Sequence, residues 1–210
     1  MNEDFLYERS WFDTKYRNQC GLRYPTTKAA LNLLLQRGGS LIVETGTMRL
    51  LSNWGDGCST LLYADFCKRY GRRLITVDIS PENIDVAKEV IKRLSEEEKT
   101  DFSGCVEFVV DDSTKYLQKL SSQIKIDLIY LDSMDCPTDA KENDPPLVTS
   151  QRHNLNEMKA AMPHLHEGSI ILLDDSGIIN GGKPKETKKY LMEAGWICVY
   201  DFYQSLWIRR

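Results

Sequence analysis

Residues 40–47 read Ser40-Leu41-Ile42-Val43-Glu44-Thr45-Gly46-Thr47, and this stretch decides the architecture. A short apolar, β-branched run stops at an acid and turns on a glycine, which is how a buried strand enters a ligand-binding turn. The same pattern recurs outward from it. Arg73 to Asp78 is a second run ending in an acid. Val106 to Val110 precedes Asp111 and Asp112, Ile126 to Leu131 precedes Asp132, and Ser169 to Leu173 precedes Asp174 and Asp175. Near-continuous apolar strands suit a parallel sheet covered on both faces.

Helical patterns fill the gaps. Thr27 to Gln36 is closed by Gly38-Gly39, and Pro81 to Leu94 has Ser80 as its cap and an apolar face of Ile84, Ala87, Val90, Ile91 and Leu94. Shorter or weaker helical patterns cover Thr114 to Leu120, His153 to Leu165 and Lys185 to Ala194. The end of the chain departs from this alternation. Trp196 to Phe202 and Ser205 to Arg209 are separated by too few residues for a parallel crossover, so they predict an antiparallel hairpin at one edge. The organisation is a single α/β domain over residues 25–210, mostly parallel, with helices on both faces. Residues 1–24 form an N-terminal extension carrying Phe5, Tyr7, Trp11, Phe12, Tyr16 and Tyr24, read as core packing, a homodimer surface or a lid. The proline-rich stretch from Cys136 to Ser150 reads as a mobile loop.

Composition narrows the function. The chain has 210 residues, 41% hydrophobic and 28% charged, with a net charge of −4, which is the profile of a globular protein. Its Lys and Arg residues are scattered, so no basic face points to nucleic acid as a partner. No apolar stretch is long enough to span a membrane. Met1-Asn2-Glu3-Asp4 does not begin a signal peptide. Six cysteines form no CxxC pair and no zinc-like spacing with His, so free thiols in a reducing cytoplasm are expected, with Cys105 and Cys198 in the core.

In open parallel sheets, ligands collect at the carboxyl ends of the strands, and here all five runs end there in acids. Gly46 admits close backbone approach, and Gly55 and Gly57 precede Ser59-Thr60, which open a helix. The spacing is neither G-x-G-x-x-G nor a P-loop. Asp78 is placed to accept from both hydroxyls of a ribose, and Asp112-Ser113 to meet an adenine. A nucleoside with a short zwitterionic tail fits that order.

This constellation resembles the class I S-adenosylmethionine-dependent methyltransferases. The resemblance rests on Val43-Glu-Thr-Gly-Thr47, Thr76-Val-Asp78, Val110-Asp-Asp-Ser113 and Leu131-Asp-Ser133, together with the closing hairpin. It implies a Rossmann-like, seven-stranded sheet of order 3-2-1-4-5-7-6 with an antiparallel last strand. It implies cofactor contacts at Glu44, Gly46, Thr47, Gly57, Ser59, Asp78, Ile79, Asp112, Ser113 and Asp132. Leu131-Asp-Ser-Met-Asp135 and Leu173-Asp-Asp-Ser176 look like the small-molecule O-methyltransferase branch. That branch implies in-line methyl transfer to a hydroxyl, with Asp132, Asp135 and His153 as candidate catalytic residues. Two routes deprotonate the acceptor: a Mg²⁺-like ion held by Asp132, Asp174 and Asp175, or a general base such as Asp135 or His153. Two rival classes stand beside this one. A nicotinamide-dependent oxidoreductase is disfavoured by the missing second glycine, and a non-catalytic nucleotide-binding module by the acids after strands four and five.

Overall fold

The computed structural model describes residues 10–51, 53–55 and 58–209. Its strands are β1 (Leu41–Thr45), β2 (Arg73–Asp78), β3 (Val106–Val110), β4 (Leu128–Leu131), β5 (Ile170–Leu173), β6 (Ile197–Asp201) and β7 (Ser205–Ile208). They form one seven-stranded sheet of order β3-β2-β1-β4-β5-β7-β6. β1 pairs in parallel with β2 and β4, β2 with β3, and β4 with β5. β7 runs antiparallel to both β5 and β6. The short link between β6 and β7 forces that reversal, as expected from its length.

The helices are α1 (Trp11–Cys20), α2 (Tyr24–Gln36), α3 (Ser59–Tyr70), α4 (Pro81–Glu98), α5 (Ser113–Lys119), α6 (Pro145–Ala161) and α7 (Lys185–Glu193). Because strand side chains alternate between faces, the core divides in two. Ile42, Leu74, Leu128, Tyr130, Ile170 and Leu172 point to one layer, shared with residues of α1, α2, α3 and α4. Val43, Ile75, Val77, Ile129, Leu131, Ile171 and Leu173 point to the other, shared with α5, α6 and α7. Successive residues of the central strands β1, β4 and β5 are therefore all buried, which is why those runs are largely apolar without alternation, whereas the edge strands β3 and β6 are half-buried or exposed.

Several local expectations change. α2 begins at Tyr24 because Pro25 fits its first turn, three residues before the predicted start at Thr27. The supposed loop ends early: Pro145 and Pro146 open α6 at Asp144, and prolines are well suited to a first helical turn. Cys198 is exposed on the edge strand β6, whose outer face nothing covers among the described residues. Phe5 and Tyr7 lie outside the described residues. Of the remaining N-terminal aromatics, Phe12 and Tyr16 are buried in the same cluster as Ala30, Leu31 and Leu34 of α2. Ser10 and Asp13 close a reciprocal capping box at the start of α1.

A Phe12→Ala substitution is expected to lower unfolding free energy by about 3–5 kcal/mol, because a fully buried ring is lost. Urea denaturation measures it. A loss below about 1 kcal/mol would mean that α1 is undocked in solution.

Candidate active site

The carboxyl ends of β1, β2, β4 and β5 open into one cleft of about 530 Å³. Its walls include Gly46, Thr47, Ser59, Asp78, Ile79, Asp132, Asp135 and Asp175. The topology explains the position. β1 and β4 are neighbours whose connections leave toward opposite faces of the sheet, and a crevice forms where they part.

Gly46 has φ +81°, and a Cβ there would lie 2.4 Å from the Asp132 carbonyl oxygen. Only glycine lets the first turn pass so close to the end of β4. Glu44, fully buried below the turn, accepts hydrogen bonds from the hydroxyls of Thr60 and Thr76, both at 2.7 Å. The Thr60 and Thr47 hydroxyls stand 2.9 Å apart, and the Thr60 oxygen also accepts from the Met48 amide. The glycine turn is thus tied to α3 and β2 through one carboxyl group. Burial pushes the Glu44 carboxyl up to about 7 against those hydrogen bonds.

Asp78 sits on the cleft floor. Its carboxylate accepts from the amides of Thr47 (3.0 Å) and Ser80 (2.8 Å) and from the Asn83 amide group (3.2 Å). Each carboxylate oxygen can accept more than one hydrogen bond, so capacity remains for hydroxyl donors. Beside it Ile79 is 71% exposed, an apolar platform at the cleft edge. α3 opens at Ser59 with no capping side-chain hydrogen bond from Cys58 and no acid in its first turn. A bare helix N-terminus of this kind suits a carboxylate. Gly46, Asp78, Ile79 and the start of α3 thus line one cleft, while the adenine contact expected at Asp112 is not among them.

Asp112 does something else. It caps α5, accepting from the Lys115 amide at 2.9 Å, and is not part of the cleft wall. Ser113 is buried and lies 3.3 Å from His153 Nε2. His153 also meets the Ser133 hydroxyl at 2.9 Å, and Ser133 donates to Glu157 at 2.7 Å. Despite its burial, His153 and the Ser113 and Ser133 hydroxyls hold the Glu157 carboxyl below its ordinary value. His153 is accordingly a link between the ends of β3 and β4, one layer behind the cleft wall. Asp135 stands at the exposed rim, paired with Arg49 at 2.9 Å. Gly57 lies outside the described residues.

The ends of β4 and β5 carry the densest charge. Oxygens of Asp132, Asp174 and Asp175 lie within 4.8 Å of one another, a spacing a cation could use. The cations in contact with them are side chains. Lys183, only 2% exposed, binds Asp132 and stands 3.2 Å from Asp175. Arg23 grips both oxygens of Asp174 through Nε at 3.1 Å, with a third bond from Nη2 at 2.8 Å. Tyr203 donates to Asp175 at 3.0 Å, and Tyr130 to Asp132 at 3.0 Å. Burial, with Asp174 beside it, pushes the Asp132 carboxyl well up, while Lys183 pulls it back. Although burial opposes it, Arg23 holds the Asp174 carboxyl below its ordinary value.

A family model described as a methyltransferase domain matches residues 53–176, well over half of the chain. The chain belongs to that methyltransferase family. No curated protein matches it by sequence. Solved structures share its fold at low identity. An O-methyltransferase from Bacillus cereus, in complex with SAH, is 17% identical with a TM-score of 0.57, covering 88% of this chain and 81% of that one. CalS11, a calicheamicin methyltransferase, is 18% identical with a TM-score of 0.56, covering 90% and 80%. TomG, an O-methyltransferase from Streptomyces achromogenes in complex with SAM, is 15% identical with a TM-score of 0.55, covering 100% and 99%. This methyltransferase therefore has the class I S-adenosylmethionine-dependent fold, with the sheet order the motifs imply.

Sequence reasoning missed the methyltransferase's Arg23, Lys183, Tyr203, Ser80 and Asn83. Arg23 and Tyr203 come from opposite ends of the chain, and no local spacing joins them. Lys183 did carry a signal in Gly181-Gly182-Lys183-Pro184, a lysine fixed between residues of special backbone geometry.

The raised Glu44 carboxyl makes stability fall with pH. The folded state binds that proton more tightly than the unfolded state, so its contribution is present below about pH 4.5 and is lost as pH rises through about 7. Glu44→Gln keeps the shape without the charge. Its unfolding free energy is expected to rise above wild type progressively from pH 5 to pH 8, by on the order of 1–3 kcal/mol at the alkaline end. Parallel curves for the two proteins would contradict this.

Proposed function

We propose that the chain binds S-adenosylmethionine in this cleft and methylates a hydroxyl of a small molecule, with Asp132 as the general base. The observation that carries the reading is the place of Asp132. It lines the cleft beside Gly46, directly across the β1–β4 crevice, and burial raises the affinity of its carboxylate for a proton. When bound, S-adenosylmethionine supplies a methyl group already activated on a sulfonium.

The work left to the chain is placement and one proton transfer. Gly46, Thr47 and the start of α3 would hold the amino-acid tail, Asp78 the ribose and Ile79 one face of the adenine. Ser113, behind the wall, would steady that end through His153. Asp132 takes the acceptor's hydroxyl proton on a carboxylate oxygen as the oxygen attacks. No divalent ion is needed for that transfer, and Lys183 and Arg23 already stand on the carboxylates that would bind one.

A small acceptor is supported by the size and charge of the site. The cleft's volume is ordinary for a small-molecule pocket. Asp135, Asp132 and Asp175 line it, which disfavours a polyphosphate backbone. O-methyltransferases among the fold's neighbours agree with a hydroxyl as the methyl acceptor.

Calorimetric titration is expected to give micromolar binding of S-adenosylmethionine and S-adenosylhomocysteine, weakened at least tenfold by Asp78→Ala. Binding of NAD in their place would overturn the cofactor assignment. Asp132→Asn should leave donor affinity within a few-fold and lower kcat by about 10²–10⁴-fold. With a hydroxyl acceptor in hand, an unchanged kcat would remove Asp132 from the proton transfer.

A further inference from the structure

The three acids after β4 and β5 pose an electrostatic problem. Asp174 is fully buried, Asp175 is 9% exposed, and the Asp132 side chain is 18% exposed. Carboxylates this close and this dry repel one another unless a cation joins them. A hard divalent ion with oxygen ligands is one solution. The chain carries another.

Lys183 enters the cluster from the loop between β5 and α7, and that loop is built to deliver it. Gly182 has φ +60° and ψ −166°, a backbone region open essentially to glycine alone. A Cβ on Gly182 would lie 1.7 Å from the Asp175 carbonyl oxygen. The Gly182 carbonyl is held by the buried Gln151 amide at 3.1 Å. Pro184 then ends the loop at the start of α7. Between Gly182 and Pro184 the Lys183 side chain points inward and is only 2% exposed. Its ammonium meets Asp132, Asp175 at 3.2 Å and the Met134 carbonyl at 3.3 Å. Two of the ammonium's protons go into hydrogen bonds with Asp132 and the Met134 carbonyl, and Asp175 completes the set as an ion pair. On the far side, the planar guanidinium of Arg23 takes Asp174 and rests on the Tyr203 ring at 4.7 Å.

We propose that Lys183 is the resident cation of this site: with Arg23 it supplies, from fixed side chains, the positive charge that a divalent ion would bring to Asp132, Asp174 and Asp175. Lys183 is a positioning residue. It lies beneath the cleft wall, holds Asp132 Oδ1, and leaves Tyr130 to hold Oδ2. The geometry of the acids is then independent of metal supply. The purpose assigned to Asp132 rests on the methyl-transfer reading; the charge compensation does not.

Mn²⁺ is the probe, read by electron paramagnetic resonance and by thermal midpoint, with neither donor nor acceptor present. Wild-type protein is expected to bind no stoichiometric Mn²⁺ at 1:1 mixing in the ~100 μM range, and its midpoint should not move with Mn²⁺ or EDTA. Lys183→Met removes the charge and keeps the length of the side chain. It is expected to melt lower than wild type and to gain Mn²⁺ binding at least tenfold tighter, with a midpoint that rises on adding the ion. Should Lys183→Met fail to fold, the Lys183→Met, Asp175→Asn double variant removes one acid along with the cation and is expected to regain a cooperative transition. Stoichiometric Mn²⁺ binding by wild type would overturn the proposal. So would a single variant that folds but gains no Mn²⁺ affinity, or a double variant no more stable than the single. None of these readouts depends on methyl transfer, so failure of the enzymatic reading leaves the result standing.

Discussion

A parallel sheet gathers the ends of its strands on one edge, and in this protein that edge is acidic. Glu44, Asp78, Asp112, Asp132, Asp174 and Asp175 all arrive there by topology. Burying so many carboxylates is unfavourable unless each one is hydrogen-bonded, neutralised or set against a cation. The arrangement around the cleft is the set of answers to that constraint. Glu44 is met by two threonine hydroxyls and drifts toward protonation. Asp78 is met by backbone amides of the first turn and of the start of α4. Asp112 turns outward to cap α5. The remaining three are met by Lys183 and Arg23.

Those different answers sort the acids by task. An acid held by backbone amides keeps a fixed direction and lies open to the cleft, which suits recognition of a neutral polyol. A buried acid drawn toward protonation serves as a hydrogen-bonded strut between the first turn and its neighbours. An acid with a raised carboxyl at a cleft wall suits proton transfer. The environment, and not the residue type, separates Glu44 from Asp78 and Asp132.

The same constraint binds distant parts of the chain together. Arg23 closes the turn between α1 and α2, Tyr203 sits in the turn between β6 and β7, and both converge on the acids after β5. The Arg23 guanidinium and the Tyr203 hydroxyl are 3.3 Å apart. The first helices and the last hairpin are therefore part of the site and not only of its frame. Anchoring one end of the chain against the other also closes the cleft on the side of β5.

Much of this was legible in the residues alone. The apolar runs of 41–45, 73–78 and 170–173 identify strands because the central sheet is covered on both faces, and 106–110 does so at an edge where Glu107 and Val110 are exposed. The short link after Asp201 dictates an antiparallel end, since a parallel return needs a crossover. Gly46 and Asp78 were readable because turn geometry and strand ends are local properties of the chain. The tertiary structure decided what is not local. It put His153 behind the wall and Asp135 at the rim, made Asp112 a cap, and turned half of a presumed loop into the start of α6. Above all it brought Lys183 and Arg23 onto three acids from other strands. A sequence can show that charges must be compensated, but which cation meets which acid depends on where the folded chain returns.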